Sequence, residues 1–403
     1  MSPTDYPERI VLHIAGADRP GVTARLAETI ASERARLINI GQSTLHGYLV
    51  LSAIVDIPSG SNALRRILFD VAEQGLRLEV SAFHPAGSAR RRDVPAICVT
   101  VLGQLGDGTA IARITQFLAS HSMNLLEIRS LSEDNLSGLE LIAGVAADQP
   151  FDDAAVTALR GEVLTLGGEL GVDLAVQKDD IFRRNKRLVC MDVDSTFVKG
   201  ELIDELAALV GVKDEVASIT ARAMRGELEF KEALTERVKL LAGLPLSRAQ
   251  ELSSRFELTP GADRLVKTLK SLGYRVGLVS GGFDFFVEVL KSRFGLDFAF
   301  SNELEVKDGI VTGRVQGSIV DGERKNQILK DMAKVYGVRL EQTVAIGDGA
   351  NDMKMLQTAG LGIAFHAKPK LQEVADMSLN HHERLDLLLF LMGYNTRDLR
   401  SVE

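Results

Sequence analysis

The sequence predicts an α/β protein in which two small mixed domains precede a parallel sheet. Between residues 8 and 177, strand-like and helix-like stretches follow the order βαββαβ twice. From residue 188 onward, apolar strand-like runs alternate with helical patterns, which is typical of a parallel sheet with crossover helices. Three of these runs end in polar or glycine-rich turns, and open α/β sheets bind their ligands at that edge. A length of 403 residues is enough for about two to four domains.

The composition indicates which kinds of binding partner and which cellular compartment to expect. The chain is 45% hydrophobic and 25% charged, which is ordinary for a soluble globular protein. Its net charge is −8 and it has no long basic run, so we expect neither nucleic acid nor a membrane as partner. Cys98 and Cys190 each lie in an apolar run, which predicts buried, reduced thiols in a cytoplasmic protein. Residues 1–8 have no signal-peptide pattern, and the longest apolar run, 387–392, is too short to span a bilayer.

The first copy of the repeat is predicted as a domain over residues 8–84. Its predicted strands are 10–15, 37–40, 48–57 and 77–83, and its predicted helices are 22–31 and 62–74. The turn Gly16-Ala17-Asp18-Arg19-Pro20-Gly21 follows the first strand. Glycines let a backbone approach a small zwitterion, and helix N-terminal amides can receive its carboxylate. Asp18 can hold the ammonium group of such a ligand.

The second copy is predicted as a domain over residues 95–177. Its predicted strands are 97–102, 125–128, 138–146 and 172–176, and its predicted helices are 110–120 and 152–164. Leu125-Leu126-Glu127-Ile128 matches Leu37-Ile38-Asn39-Ile40 of the first copy. Its first loop, with Gly106 and Gly108, lacks the Arg-Pro pair of the first copy. For both loops, a plain strand-to-helix turn is the alternative interpretation.

This pair resembles tandem ACT domains, ferredoxin-like modules that sense amino acids in metabolic enzymes. The resemblance rests on the βαββαβ order and on the turn from Gly16 to Gly21. It implies an amino-acid effector, serine by preference, at regulatory positions Gly16, Asp18, Gly21, Gly106 and Gly108. It also implies a homodimer formed through these domains. The polar, basic stretch 177–187 is predicted to be a solvated linker to the last domain.

Paired carboxylates follow the first apolar run of the last domain. Asp192 and Asp194 come where the run 188–192 ends. Residues two apart on an extended chain point the same way, so both face one pocket unless the turn has already begun at Asp194. Two like charges this close need a cation between them, and Mg²⁺ prefers oxygen ligands.

The next two runs, 276–280 and 343–348, also end in residues suited to anions or metals. Ser280-Gly281-Gly282 opens a predicted helix, 283–293, and a hydroxyl with free amides there suits a phosphate. Lys325 begins another predicted helix, 325–336, where an ammonium group can neutralise a phosphoryl group, although a solvated lysine is the simpler interpretation. The turn 347–352 carries Asp348, Asn351 and Asp352 and predicts a metal site.

In order, these motifs are D-x-D-S-T, Ser, Lys and G-D-G-x-N-D, and together they resemble the haloacid-dehalogenase phosphatase superfamily. The resemblance implies a Rossmann-like parallel-sheet phosphatase core over 185–398. It implies that Asp192 is a nucleophile that forms an aspartyl-phosphate and that Asp194 is the general acid and base. It further implies Mg²⁺ held by Asp192, the Asp194 carbonyl and Asp348, with support from Asp352. Ser280, Gly281 and Lys325 are then the phosphoryl-binding groups.

Residues 201–258 are mostly helical in pattern, and the same resemblance implies a helical cap. Taken singly, Arg237 reads as a solvated helix residue, and Met224 and Phe230 read as core. With Glu201 they resemble the substrate pocket of phosphoserine phosphatases, where the glutamate holds the ammonium group and the arginine the carboxylate. Asn351 then faces the substrate too. We therefore expect hydrolysis of phosphoserine, the last step of serine biosynthesis. The alternatives are a phosphatase or phosphotransferase for a related phospho-amino acid and a catalytically idle amino-acid sensor.

Overall fold

The computed structural model describes residues 8–84, 94–132, 137–146, 151–225, 227–253 and 256–402, with the backbone alone for Asp153 and Met224. The chain forms two compact units, Met1–Ala89 and Arg90–Glu403. Among the described residues, no helix is both long and apolar enough to cross a membrane.

The first unit is an antiparallel sheet with the strand order β2-β3-β1-β4 and two helices. Its elements are β1 Glu8–Ala17, α1 Val22–Ser32, β2 Arg36–Leu45, β3 Tyr48–Ile57, α2 Ala63–Glu73 and β4 Arg77–Ala82. Alternate apolar residues of the central strands, such as Leu12 and Leu51, pack with Leu26 and Ile67 of the helices. The edge strand β2 is exposed along its whole length. The predicted order of elements is confirmed.

The second repeat has the same order within the second unit. Its elements are β5 Ala96–Leu102, α3 Thr109–Ser120, β6 Met123–Ser130, β7 Gly138–Val145, α4 Asp153–Leu170 and β8 Asp173–Lys178. Helix α4 ends six residues later than the pattern predicted (170 against 164) and stops at Gly171, which has the left-handed backbone favoured at helix ends. Gly167 lets α4 pack closely on the next strand, because a Cβ atom there would lie 2.8 Å from the Val172 carbonyl oxygen.

The C-terminal region is a mainly parallel sheet flanked by helices. Its strands are β9 Leu188–Met191, β10 Arg275–Phe283, β11 Phe298–Lys307, β12 Ile310–Gln316, β13 Thr343–Gly347, β14 Gly362–Phe365 and β15 Met377–Leu379. Its helices are α5 Leu202–Val210, α6 Lys213–Met224, α7 Phe230–Lys239, α8 Leu246–Leu252, α9 Ala262–Ser271, α10 Asp284–Phe294, α11 Gly322–Val335, α12 Met353–Thr358, α13 Pro369–Gln372, α14 Leu388–Leu391 and α15 Thr396–Arg400. Strand β9 is fully buried and central, so its carboxyl end lies between those of β10 and β13.

Two local predictions need correction in this region. Strand β10 continues through Phe283, so Ser280, Gly281 and Gly282 belong to an irregular strand end and the helix begins only at Asp284. Lys325 lies in the first turn of α11 with no exposed surface, and it is not a solvated lysine. In addition, the sequence did not predict the antiparallel hairpin formed by β11 and β12.

One sheet of eleven strands joins the second repeat to the C-terminal region, in the order β12-β11-β10-β9-β13-β14-β15-β8-β5-β7-β6. The junction is the antiparallel pair of Met377 in β15 with Ala175 in β8. The buried Asp173 carboxylate reinforces it by accepting the backbone N–H of Asn380 (2.7 Å) and by contacting His382 Nδ1 (2.7 Å).

The linker between the second repeat and the C-terminal region is not the solvated crossing that its composition suggested. Arg183 is buried and its guanidinium lies 2.5 Å from the buried carboxylate of Glu140 in β7. Lys186 is also buried, and its ammonium donates to the carbonyls of Glu341 (2.8 Å) and Gly360 (2.7 Å). An ion pair on one side and hydrogen bonds from a buried ammonium on the other therefore fasten this segment to both sides of the junction.

Candidate active site

Asp192, Lys325 and Asp352 form a buried ionic cluster at the carboxyl edge of the sheet. Asp192 follows the central strand β9, and its Oδ1 lies 2.8 Å from Lys325 Nζ. The same ammonium lies 2.7 Å from Asp352 Oδ1, and both Lys325 and Asp352 have no exposed surface. Burial alone would lower the pKa of Lys325, but the two carboxylates raise it above its usual value, so the lysine stays charged.

Asp348 joins this cluster from the end of β13. Carboxylate oxygens of Asp192, Asp348 and Asp352 all lie within 4.8 Å of one another. Burial and then the charge of Asp192 raise the pKa of Asp348 to about 8, and the same two causes raise that of Asp352 to about 7. Once ionised, three carboxylates around one ammonium leave an excess of negative charge, which a hard divalent cation with oxygen ligands suits. The donor set therefore fits Mg²⁺.

Asp194 reaches the site by a different route from the one predicted. The turn has already begun at Asp194, and Ser195 takes a left-handed backbone with φ 55°. Strand alternation therefore does not orient the second carboxylate. Its Oδ1 accepts the Leu202 N–H at 2.8 Å, and its Oδ2 accepts the Ser280 hydroxyl at 3.4 Å. Burial, and then the charges of Glu201 and Asp192, raise its pKa to about 7, so it can carry a proton near neutral pH.

Ser280 and Gly281 lie where β10 bulges out of the sheet. Val279 pairs with Phe300 and Phe283 with Asn302, so β10 takes four steps (279 to 283) where β11 takes two (300 to 302). The Ser280 hydroxyl accepts the Gly282 N–H at 2.8 Å, and a Cβ atom at Gly282 would lie 2.9 Å from Asp194 Oδ2. Glycine is needed there because the acid comes so close.

Phe230 of the cap and Asn351 of the hydrolase core meet at this bulge. A Cβ atom at Gly281 would lie 3.0 Å from Phe230 Cζ and 3.8 Å from Asn351 Nδ2, so these side chains converge on one point. Arg237 lies on the same helix as Phe230 and is half-buried. The side chain of Met224 lies outside the described residues.

Glu201 and Arg237 supply opposite charges to the space beneath the cap. Glu201 precedes α5, and its Oε1 accepts the Ser195 hydroxyl at 3.3 Å. Although part of its surface meets solvent, the surrounding protein and then Asp192 raise its pKa. Burial lowers the pKa of Arg237, and the charge of Glu201 opposes this shift. Glu201 and Arg237 therefore lie close enough for each charge to act on the pKa of the other.

Sequence reasoning missed three residues that shape the site. Asn302 in β11 is buried and hydrogen-bonds the bulge, and Lys231 of the cap lies 2.9 Å from Asp321, which caps α11. A single asparagine in a strand and a single lysine on a helix belong to no motif. The capping pattern of Asp321 before α11 is the only one of these signals that a sequence carries.

The predicted regulatory loops begin helices in both repeats. Gly21 and Gly108 precede α1 and α3 with left-handed φ angles of 98° and 77°, which only glycine adopts freely. Asp18 Oδ2 accepts the Thr44 hydroxyl at 3.3 Å. A Cβ atom at Gly16 would lie 2.5 Å from Leu76 Cδ2, whereas Gly106 faces open space. Gly16 therefore serves packing within the first unit.

Family models agree with this arrangement of fold and site. The haloacid dehalogenase-like hydrolase family matches residues 186–360, and ACT-domain models match residues 8–82 and 96–177. A Rossmann-like hydrolase core with a helical cap and two ACT domains thus defines the class of protein.

Two full-length relatives narrow the class. The chain is 42% identical over 405 residues to phosphoserine phosphatase SerB2 of Mycobacterium tuberculosis, covering 98% of this chain and 95% of the relative. It is 41% identical over 401 residues to a phosphoserine phosphatase of Streptomyces coelicolor, with coverages of 99% and 95%. A solved hydrolase of the same superfamily from Salmonella enterica serovar Typhi is 28% identical, with a TM-score of 0.62 and coverages of 73% and 98%. The chain belongs to the phosphoserine phosphatase family of enzymes.

Proposed function

We propose that this enzyme hydrolyses O-phospho-L-serine to L-serine and phosphate, with Mg²⁺ and through a phosphoryl group carried on Asp192. The observation that best supports the proposal is the cluster of Asp192, Asp348 and Asp352 around Lys325, beneath a cap that presents Glu201 and Arg237. The relatives named phosphoserine phosphatases support the choice of substrate.

Asp192, the Asp194 backbone carbonyl and Asp348 would hold the Mg²⁺ ion, with Asp352 supporting them. When bound, the ion would neutralise charge on the phosphoryl oxygens and on the attacking carboxylate. Lys325, the Gly281 amide and the Ser280 hydroxyl gather the same oxygens from the other side. Phosphoryl transfer depends mainly on such positioning and charge neutralisation.

The reaction then needs two displacements at phosphorus. A carboxylate oxygen of Asp192 forms a bond to phosphorus as the bond to the serine oxygen breaks, and the Asp194 carboxyl gives its proton to that oxygen. In the second step Asp194 takes a proton from water. The water oxygen bonds to phosphorus, the bond to Asp192 breaks and phosphate leaves. A pKa of about 7 suits Asp194 to both tasks.

Selectivity would come from the cap. Glu201 accepts the substrate ammonium, Arg237 binds its carboxylate, and Phe230, Met224 and Asn351 enclose the remainder. Phosphothreonine and phosphohomoserine carry the same two charged groups, so a related phospho-amino acid is the second candidate substrate.

The first test is phosphate release from phosphoserine with Mg²⁺. Asp192→Asn should abolish turnover, because an amide is not a nucleophile toward phosphorus. Asp308→Asn, at an exposed hairpin turn, is the matched control and should keep full activity. Equal rates on an alkyl phosphate would refute the assigned pocket, and activity retained in Asp192→Asn would refute the nucleophile. No activity on any phosphate ester would favour the idle sensor.

We further propose that an amino acid, serine by preference, regulates the enzyme through the ACT domains, and that the protein is a cytoplasmic homodimer. Free, buried thiols at Cys98 and Cys190 fit that compartment. The exposed edge strand β2 carries Leu37, Ile38 and Ile40, each more than a third exposed, which suits pairing with a second copy. Calorimetry of the full chain with serine tests the effector, and a monomer in light scattering would refute the dimer.

A further inference from the structure

Asn302 is a buried carboxamide whose two ends bond two different parts of the site. It is 1% exposed and pairs with Phe283, the residue of β10 that returns to the sheet after the bulge. Its Nδ2 donates to the Gly281 carbonyl at 2.8 Å, and its Oδ1 accepts the Val320 N–H at 2.8 Å. The bond to Val320 is buried and the bond to Gly281 is partly buried. An unpaired donor or acceptor is costly in such surroundings, so the two bonds fix the side chain.

The first bond fixes the bulge that carries Gly281. With the Gly281 carbonyl held by Asn302, the peptide between Gly281 and Gly282 directs the Gly282 N–H to the Ser280 hydroxyl, which accepts it at 2.8 Å. The Gly281 N–H, which the proposed function assigns to the phosphoryl group, belongs to the preceding peptide and is joined to the held carbonyl through the two backbone bonds of Gly281. The rotation about the two bonds of Gly281 is otherwise unusually free, because glycine lacks a Cβ atom. One side chain thus restricts this rotation at the point where Phe230 of the cap approaches Gly281.

The second bond fixes the start of the helix that carries Lys325. Val320 immediately precedes Asp321, whose Oδ1 caps α11 by accepting the Arg324 N–H at 2.8 Å. The Asp321 carbonyl accepts the Lys325 N–H at 2.8 Å, in the first turn of the helix. A shift of Val320 would therefore carry Lys325 with it.

We propose that Asn302 is a positioning residue that sets the spacing between the Gly281 amide and the Lys325 ammonium. The inference rests on the proposed function, in which these two groups hold the same phosphoryl group from different elements. Asn302 itself does not touch the substrate. Its loss should weaken the binding of any tetrahedral phosphoryl group, in substrate or in product, because both require the two groups at one distance.

The test compares Asn302→Ala with Thr343→Val in the full-length enzyme. Thr343 is also fully buried and makes two hydrogen bonds to the backbone, with the Leu340 carbonyl and the Gly360 N–H. It differs from Asn302 because it lies at the start of β13, at the end of that strand that points away from Asp348 and the site. We expect Asn302→Ala to raise the inhibition constant of inorganic phosphate and the KM of phosphoserine by about tenfold, because the Gly281 carbonyl and the Val320 N–H both lose their partner and the spacing of the two phosphoryl-binding groups is no longer fixed. Thr343→Val should change neither constant.

Asn302→Asp separates positioning from general destabilisation. The aspartate has the same shape and keeps the acceptor for Val320, but when ionised it cannot donate to the Gly281 carbonyl. Its protonated form can donate, so its deficit in phosphate binding relative to wild type should narrow as the pH falls. Wild-type affinity for phosphate in both variants would overturn the inference. If the wild type itself fails to bind phosphate, the proposed function fails, and the inference falls with it.

Discussion

Lys325 is the residue on which the charge balance of the site depends. It is the only ammonium within 3 Å of Asp192 and Asp352 among the ion pairs of the described residues. We expect Lys325→Met to lower kcat/KM for phosphoserine by about 10²–10³-fold, the usual effect of removing one preorganised group that stabilises transition-state charge. Steady-state kinetics check this. Lys330→Met, exposed on the same helix, should have wild-type kinetics; a comparable loss there would mean that the helix, not the charge, matters.

Asp348 should link metal binding to pH. Its pKa of about 8 in the metal-free protein means that most of it is protonated at neutral pH, and a metal ion must displace that proton. The affinity for Mg²⁺ should therefore rise by up to about tenfold per pH unit between pH 6 and 8 and then level off. Calorimetry in buffers of different ionisation enthalpy measures both the affinity and the released proton. An affinity that does not change with pH, with no proton release, would contradict this.

For single residues, the sequence indicated candidate reacting groups but not the residues that position them. Asp192, Ser280, Lys325 and Asp348 stand in motifs whose order along the chain is informative. Asn302 does not, because its role depends on a bulge in β10 and on the neighbouring strand β11, which local patterns do not specify. The sequence also left open whether Asp194 belongs to the strand, and the structure places it in the turn that follows.

The elements themselves differ in how far their sequence determines them. Long periodic stretches, such as α1 and β3, appear close to their predicted bounds. Strands β14 and β15, with four and three residues, are too short to show a period. Helix α4 continues past its predicted end through two glycines, because its packing on β8 outweighs their low helix propensity.

The two glycines of α4 give a matched pair of substitutions with opposite expected signs. Gly167→Ala should destabilise the second unit by about 1–3 kcal/mol, because the new methyl group would lie 2.8 Å from the Val172 carbonyl oxygen. Gly168→Ala should stabilise it by up to about 1 kcal/mol, since nothing lies within 4 Å and alanine favours helices. Thermal unfolding measures both. Equal shifts would show that helix propensity alone governs this position.

For the molecule as a whole, the junction between the second repeat and the hydrolase was beyond prediction from the sequence. The repeat pattern identified two similar domains, and composition suggested a solvated linker after them. Composition does not reveal that Arg183 forms an ion pair with Glu140, or that β8 pairs with β15. Pairing between distant segments depends on the whole fold, and it makes one sheet of two domains.

This continuity predicts that the second repeat is part of the hydrolase's structural unit. We expect a fragment of residues 90–403 to keep phosphoserine hydrolysis and to unfold at the temperature of the same unit in the full chain. A fragment of residues 185–403 should unfold several degrees lower, because losing β8 exposes the edge of β15 and losing α4 removes Arg160, 2.5 Å from the Asp376 carboxylate. Arg160→Met in the full chain should reproduce part of that loss without exposing the edge. Scanning calorimetry with parallel activity assays decides the matter: if the shorter fragment unfolds at the same temperature as the longer one, the shared sheet contributes nothing to stability, and the second repeat is only tethered to the enzyme.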